Sequence, residues 1–159
     1  MATILQVILL VVTGLVVFAQ RGDLVNISDI VECKTNNGKH FAIAMYRDWA
    51  PIGTDHFVDL VRAGFFTDMP VFRAVRGFVA QFGISVKPEF QHFHEKTIKD
   101  DVMLSKPVGA HTIAFAGDGP NSRSTQVIIT FAEQDSLGRE SWETPFGALI
   151  CEYTVCLVR

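Results

Sequence analysis

The chain has 159 residues, a formal net charge of −3 and an isoelectric point near 5.9. That length suits one compact domain, and the balance gives no basic footprint for nucleic acid. The mean hydropathy of +0.25 is high for a soluble chain, and much of it comes from the first 19 residues. Ile4 to Ala19 is an uncharged apolar run broken only by Gln6, Thr13 and Gly14, shorter than the ~20 residues a membrane-spanning helix usually needs. Val17-Phe18-Ala19 places small residues at −3 and −1 of a signal-peptidase site. The run therefore predicts a cleaved secretory signal over 1–19, with an uncleaved membrane anchor as the alternative. A polar segment follows over 20–28, and one domain over 29–159. Asn26-Ile27-Ser28 is an acceptor sequon for glycosylation.

Ile30 to Lys34 and His40 to Tyr46 flank Asn36-Asn37-Gly38, so a β-hairpin is predicted, with Asn-Gly supplying positive φ angles. Pro51 opens a helical pattern in which Phe57, Val58, Leu60 and Val61 form an apolar stripe and Gly64 takes the C-cap place. A helix is expected over about Pro51 to Ala63. Val71 to Val75, Phe78 to Phe82, His111 to Phe115 and Val127 to Phe131 read as strands. Many short strands with one early helix point to a mainly β antiparallel sandwich or barrel. Of three cysteines, Cys33 reads as a small buried hydrophobe; Cys151 and Cys156 lack C-x-x-C spacing, and one of the three must remain free or cross-link. His92-Phe93-His94-Glu95 reads as solvated loop rather than a metal site, Asp100 and Asp101 as adjacent loop carboxylates that point apart, and no G-x-S-x-G suggests a hydrolase.

Arg73 lies five residues before Phe78 and eight before Gln81 in Val71 to Gln81. A cationic fork, an aromatic wall and an amide on an apolar patch suit a neutral ring bearing a carbonyl, and proline fits. A cation within an apolar strand also needs a reason to be desolvated. V-F-R-A-V-R-G-F-V-A-Q-F-G resembles the F-[HF]-R-V-x-P-G-F-x-x-Q-x-G signature of cyclophilins, the peptidyl-prolyl cis-trans isomerases. Phe115 to Thr130, F-A-G-D-G-P-N-S-R-S-T-Q-V-I-I-T, is similar to a second cyclophilin block, and Pro145-Phe146-Gly147 resembles a third; the likeness runs from about Ile30 to about Ile150. Q-F-G-I at Gln81 to Ile84 and I-K-D-D-V at Ile98 to Val102 look closest to divergent-loop members.

The resemblance implies a β-barrel with helical plugs and prolyl isomerase activity assisting folding in the secretory pathway, without cofactor or metal. The alternative function is a weak or inactive module that binds Pro-containing peptides. Arg73 matches the family's catalytic arginine, and Gln81 and Gln126 match the glutamines that orient it and bond substrate. Phe78 would floor the proline pocket, with Val79 and Ile128 at its walls. Ala116 and Gly117 match the strand edge on which a substrate backbone lies. The tryptophan-leucine and histidine of the family's next loop have no clear match in Gln134 to Trp142, where only Leu137 and Trp142 are candidates. The implied partners are Xaa-Pro segments of peptides or unfolded proteins and cyclosporin-like ligands, with a membrane only if the amino-terminal run stays attached. The departures are Gly117 and Asp118, where Asn-Ala or Thr-Ala is usual, and Ile128, where a phenylalanine is usual; they predict a wider, weaker pocket. Cyclophilins continue after this F-G with a strand, a second helix and a barrel-closing strand. Only Ala148 to Arg159 remains, so an unpaired edge is expected beside the first hairpin unless Tyr153 to Val158 substitutes.

Overall fold

A computed structural model describes residues 4–9, 26–102, 109–133 and 137–150. Within them the strands are β1 (Ile4–Leu9), β2 (Asp29–Thr35), β3 (His40–Met45), β4 (Met69–Pro70), β5 (Arg73–Ala74), β6 (Val79–Phe82), β7 (Thr112–Phe115), β8 (Val127–Thr130) and β9 (Pro145–Ile150). The helices are α1 (Pro51–Arg62) and the short α2 (Gln91–Glu95).

All neighbouring strands are antiparallel, in the order β4-β1-β2-β3-β9-β7-β8-β6-β5. The outermost strands, β4 and β5, are separated in sequence by only Val71 and Phe72. A sheet whose two ends are joined by so short a stretch has to curl until they meet, which gives the expected mainly β cyclophilin-like barrel.

The predicted hairpin is β2–β3, with Val31 opposite Ile43 and both wholly buried. Its turn differs from the expectation. Gly38 alone takes a positive φ (78°), and Thr35 and Lys39 are joined by an N–H to carbonyl bond of 2.8 Å. One left-handed residue after a tight turn is sufficient for this longer loop, so Asn37 stays out of that region and bonds Thr35 and the Lys39 N–H with its side chain. In α1, Gly64 has φ 72°, its N–H bonds the Val61 carbonyl at 3.0 Å, and the Phe65 N–H bonds Leu60 at 3.0 Å. This is a glycine-closed helix end as predicted. Ala50 provides no side-chain cap at the other end; the carboxylate of Asp101 accepts from the N–H groups of Ile52 (2.8 Å) and Gly53 (2.9 Å).

Four elements escaped the sequence reading: the two-residue β4, β9, α2 and β1. β9 is central, lying between β3 and β7, and only its Pro145-Phe146-Gly147 had been singled out. The segment His92 to Glu95 belongs to α2 rather than a loop. A single turn is too short for apolar periodicity to declare itself; it is held by Phe90 and Phe93 against Phe65, and by His94, which bonds Thr125 (2.8 Å) and Ser85 (3.2 Å) and so is not merely solvated. The outer edge of β2 is paired with β1, Leu5 opposite Thr35 through Leu9 opposite Val31, so the unpaired edge expected there is replaced by a ladder. Val17-Phe18-Ala19, Cys151, Cys156 and Tyr153 to Val158 lie outside the described residues.

The predicted strand Val71 to Val75 contracts to β5, and Arg73 is exposed, so the expected desolvation of its cation is not found. The main core is aromatic: Phe57, Phe65, Phe66, Phe82, Phe115 and Phe146 are fully buried between α1 and the sheet, and Phe57 lies 5.0 Å from Phe66 and 5.1 Å from Phe146. Cys33 is buried, and burial, reinforced by Glu32, pushes its thiol up to about 12.

Candidate active site

Cross-strand register builds the site. Ala114 faces Ile128, Ile128 faces Gln81, and Gln81 faces Arg73, giving one row across β7, β8, β6 and β5. Strand alternation puts Val79 on the face of Gln81, and Gln126 on that of Ile128, while Phe82, Val127 and Ile129 turn to the main core. The outer face holds a second small apolar cluster of Val79, Ala114 and Ile128, flanked by Phe78, Ala116 and Leu137.

A pocket of about 490 Å³ opens over this cluster. Its lining includes all nine residues singled out from the sequence: Arg73, Phe78, Val79, Gln81, Ala116, Gly117, Gln126, Ile128 and Leu137. It also includes Phe115, Asp118, Ser122, Ser124 and Glu143. The turn through Gly77 (φ 70°) brings Phe78 back over Arg73, whose guanidinium lies 5.6 Å from the ring centre. Arg73 Nη1 donates to Gln81 Oε1 at 3.3 Å, and Gln81 Nε2 donates to Gln126 Oε1 at 3.0 Å. Each amide orients the next group, so the chain fixes where the arginine points. Gly83 (φ 106°) stabilises the spacing: a Cβ there would lie 2.2 Å from the Thr125 carbonyl oxygen and 2.8 Å from the Cα of Gln126.

The opposite wall is the segment from Phe115 to Gln126. Ala116 N–H bonds the Gln126 carbonyl at 2.9 Å, whereas no hydrogen bond is made by the Gly117 main chain among the described residues. A Cβ at Gly117 would meet Ser122 Oγ at 2.9 Å and Trp142 at 3.1 Å, so the wall is closely backed at this point. Trp142 thus backs the wall without lining the pocket. Of the loop Gln134 to Trp142, positions 134–136 lie outside the described residues.

Two supports beneath this wall went unnoticed in the sequence. Arg123 is fully buried, its Nη1 2.9 Å from Asp101, its Nε 3.5 Å from Asp100, and its Nη2 on the Lys99 carbonyl. The adjacent aspartates, expected to diverge, converge on one guanidinium. His56 Nε2 donates to the Ser124 carbonyl at 2.6 Å, and its ring stands 5.5 Å from Phe115. Burial holds its imidazole below the ordinary value, Lys96 and Arg123 adding to the effect while the Ser124 bond and Asp59 oppose it. Glycine-flanked motifs made the pocket residues visible; a lone His on a helix and an Arg inside a loop carry no such pattern. Among the described residues, no group of three His, Cys, Asp or Glu side chains could hold a metal.

The fold and site define an antiparallel barrel with a peptide-sized groove on its outer wall. The chain belongs to the family described as cyclophilin type peptidyl-prolyl cis-trans isomerase/CLD, whose model matches residues 30–157. It is similar to the Arabidopsis thaliana peptidyl-prolyl cis-trans isomerase CYP18-2, 28% identical over 110 residues, covering 67% of this chain and 66% of that protein. The Schizosaccharomyces pombe isomerase ppi1 is 29% identical over 131 residues, covering 79% and 81%. A Cryptosporidium parvum cyclophilin-type isomerase shares the fold, with a TM-score of 0.64, 20% identity and 78% of each chain covered. The same protein in the presence of the dipeptide Ala-Pro gives 0.63, 18% identity, and 78% and 79% coverage.

Proposed function

We propose that the chain catalyses cis-trans isomerisation of Xaa-Pro bonds, with Arg73 as the catalytic group. The barrier is the partial double bond of the imide, ~18–20 kcal/mol for a peptide bond. Twisting that bond localises the lone pair on the prolyl nitrogen, which becomes a hydrogen-bond acceptor. Arg73 donates to it without needing to lose a proton. Gln81 and Gln126 hold the guanidinium in aim; Phe78, Val79, Ile128 and Leu137 clasp the ring, and Ala116 and Gly117 align the flanking backbone. The observation that carries this reading is the Arg73–Gln81–Gln126 chain bordering the outer apolar cluster. Family membership and the relative studied with Ala-Pro support it. Arg73→Ala is expected to lower turnover of a proline peptide about 100-fold, the scale for losing one transition-state donor. Exchange NMR is the measurement, and unchanged turnover would remove Arg73 from the mechanism.

A second reading, capture of proline peptides without turnover, draws support from Ile128 in place of an aromatic wall. Binding without exchange, by the same NMR experiment, selects it.

The secretory placement draws its support from Ile4 to Ala19 alone. Cleavage after Ala19 would remove β1 and its ladder with β2. Closing strand and discarded signal are exclusive fates for these residues in one molecule. Amino-terminal sequencing of protein secreted from a eukaryotic host is expected to begin at Gln20 if the signal reading is right, and Met1 in a membrane fraction would show an anchor.

A further inference from the structure

Resting on the isomerase reading of this groove, we propose that it selects proline segments carrying a basic side chain, Lys or Arg, two residues from the proline, with Asp118 and Glu143 as specificity-determining residues. Charge along the pocket is polarised. Among the described residues, Arg73 is the one cation in the lining, and Asp118 and Glu143 are its anions. Neither carboxylate is neutralised by an ion pair among the described residues. Arg123, the cation within the wall segment, is already matched by Asp100 and Asp101.

Asp118 is held through its main chain and Glu143 through its carboxylate. The Asp118 N–H bonds Ser122 Oγ at 2.8 Å, and that hydroxyl donates to the Gly119 carbonyl at 2.6 Å. The Glu143 carboxylate accepts from the N–H groups of Arg139 (3.0 Å) and Glu140 (3.4 Å), which fixes it while leaving its charge. Gly117 points independently to a peptide as the occupant. Its main-chain N–H and C=O, on the pocket wall next to Asp118, make no bond among the described residues. An extended peptide that pairs there sends alternate side chains to opposite faces, so the residue two positions from the proline seated over Phe78 shares its face and is directed toward the wall that carries the acids.

The test uses the whole chain and three peptides of one frame, with Lys, Ala or Glu placed in turn at each position two residues from a single proline. At low salt the Lys peptide is expected to exceed the Glu peptide at least about fivefold in kcat/KM, the upper range for exposed charge pairs. The ratio should shrink as salt is raised, because the Debye length falls to about 8 Å at physiological ionic strength. Asp118→Asn with Glu143→Gln should bring the ratio toward one, and Asp118→Lys should invert it. Equal rates for Lys and Glu peptides, with the Ala peptide turned over, overturn the specificity and leave the isomerase reading standing. If peptides bind without exchange, the isomerase reading falls, and the ratio of dissociation constants decides the specificity on the same terms. Absence of both binding and exchange overturns the two together.

Discussion

Arg123 and Arg73 occupy opposite surroundings. Arg123 is wholly buried between two aspartates, whereas Arg73 is exposed, under Phe78, and held by a neutral amide. A cation matched by carboxylates has its field spent within the protein. One aimed by an amide keeps its charge and most of its five N–H groups for a substrate. The first arrangement anchors the groove wall to the start of α1; the second leaves a reactive group on a firm base.

Breaking the Arg123 arrangement should have the largest effect. Arg123→Met leaves the buried Asp101 and the half-buried Asp100 without their partner, and about 3–5 kcal/mol of stability is expected to be lost. Urea unfolding measures it, and a loss below 1 kcal/mol would show that water replaces the guanidinium. Arg73→Ala sharpens the contrast: the same unfolding curve should move by no more than about 0.5 kcal/mol, as for an ordinary surface change, while turnover collapses. A large loss of stability there would make Arg73 a structural residue.

His56 gives the smallest effect, through pH. Its folded value lies below the ordinary 6.5, so the unfolded chain takes up the proton first as pH falls. Its contribution is therefore complete above about pH 6.5 and is lost progressively as pH descends from there through the lower folded value. The slope of stability against pH between 7 and 5 should be shallower in His56→Asn than in the parent chain. Equal slopes would assign the acid sensitivity to other groups.

Much of this was legible in the sequence because strand alternation writes two faces at once. In Val79 to Phe82 and Val127 to Thr130, one parity names the aromatic core and the other names the groove. The helix was equally plain, since Pro51, the apolar stripe and Gly64 each carry a local geometric requirement. What escaped was long-range. Asp101 caps a helix 48 residues earlier in the chain, and Glu143 reaches the pocket only through tertiary packing. β1 was hidden for another reason: an uncharged, mainly apolar run satisfies strand, signal and anchor alike, and periodicity cannot choose among them.

Gly83 has a consequence for binding itself. Its backbone rests so closely on Thr125 and Gln126 that no side chain fits between them. The strand ending at Phe82 and the segment entering Val127 therefore move as one plate. Gln81 and Gln126 ride on that plate, and their separation was settled when the chain folded. An incoming proline meets two amides whose backbone freedom is already gone, so the ordering cost of assembling that part of the site falls on folding rather than on each encounter.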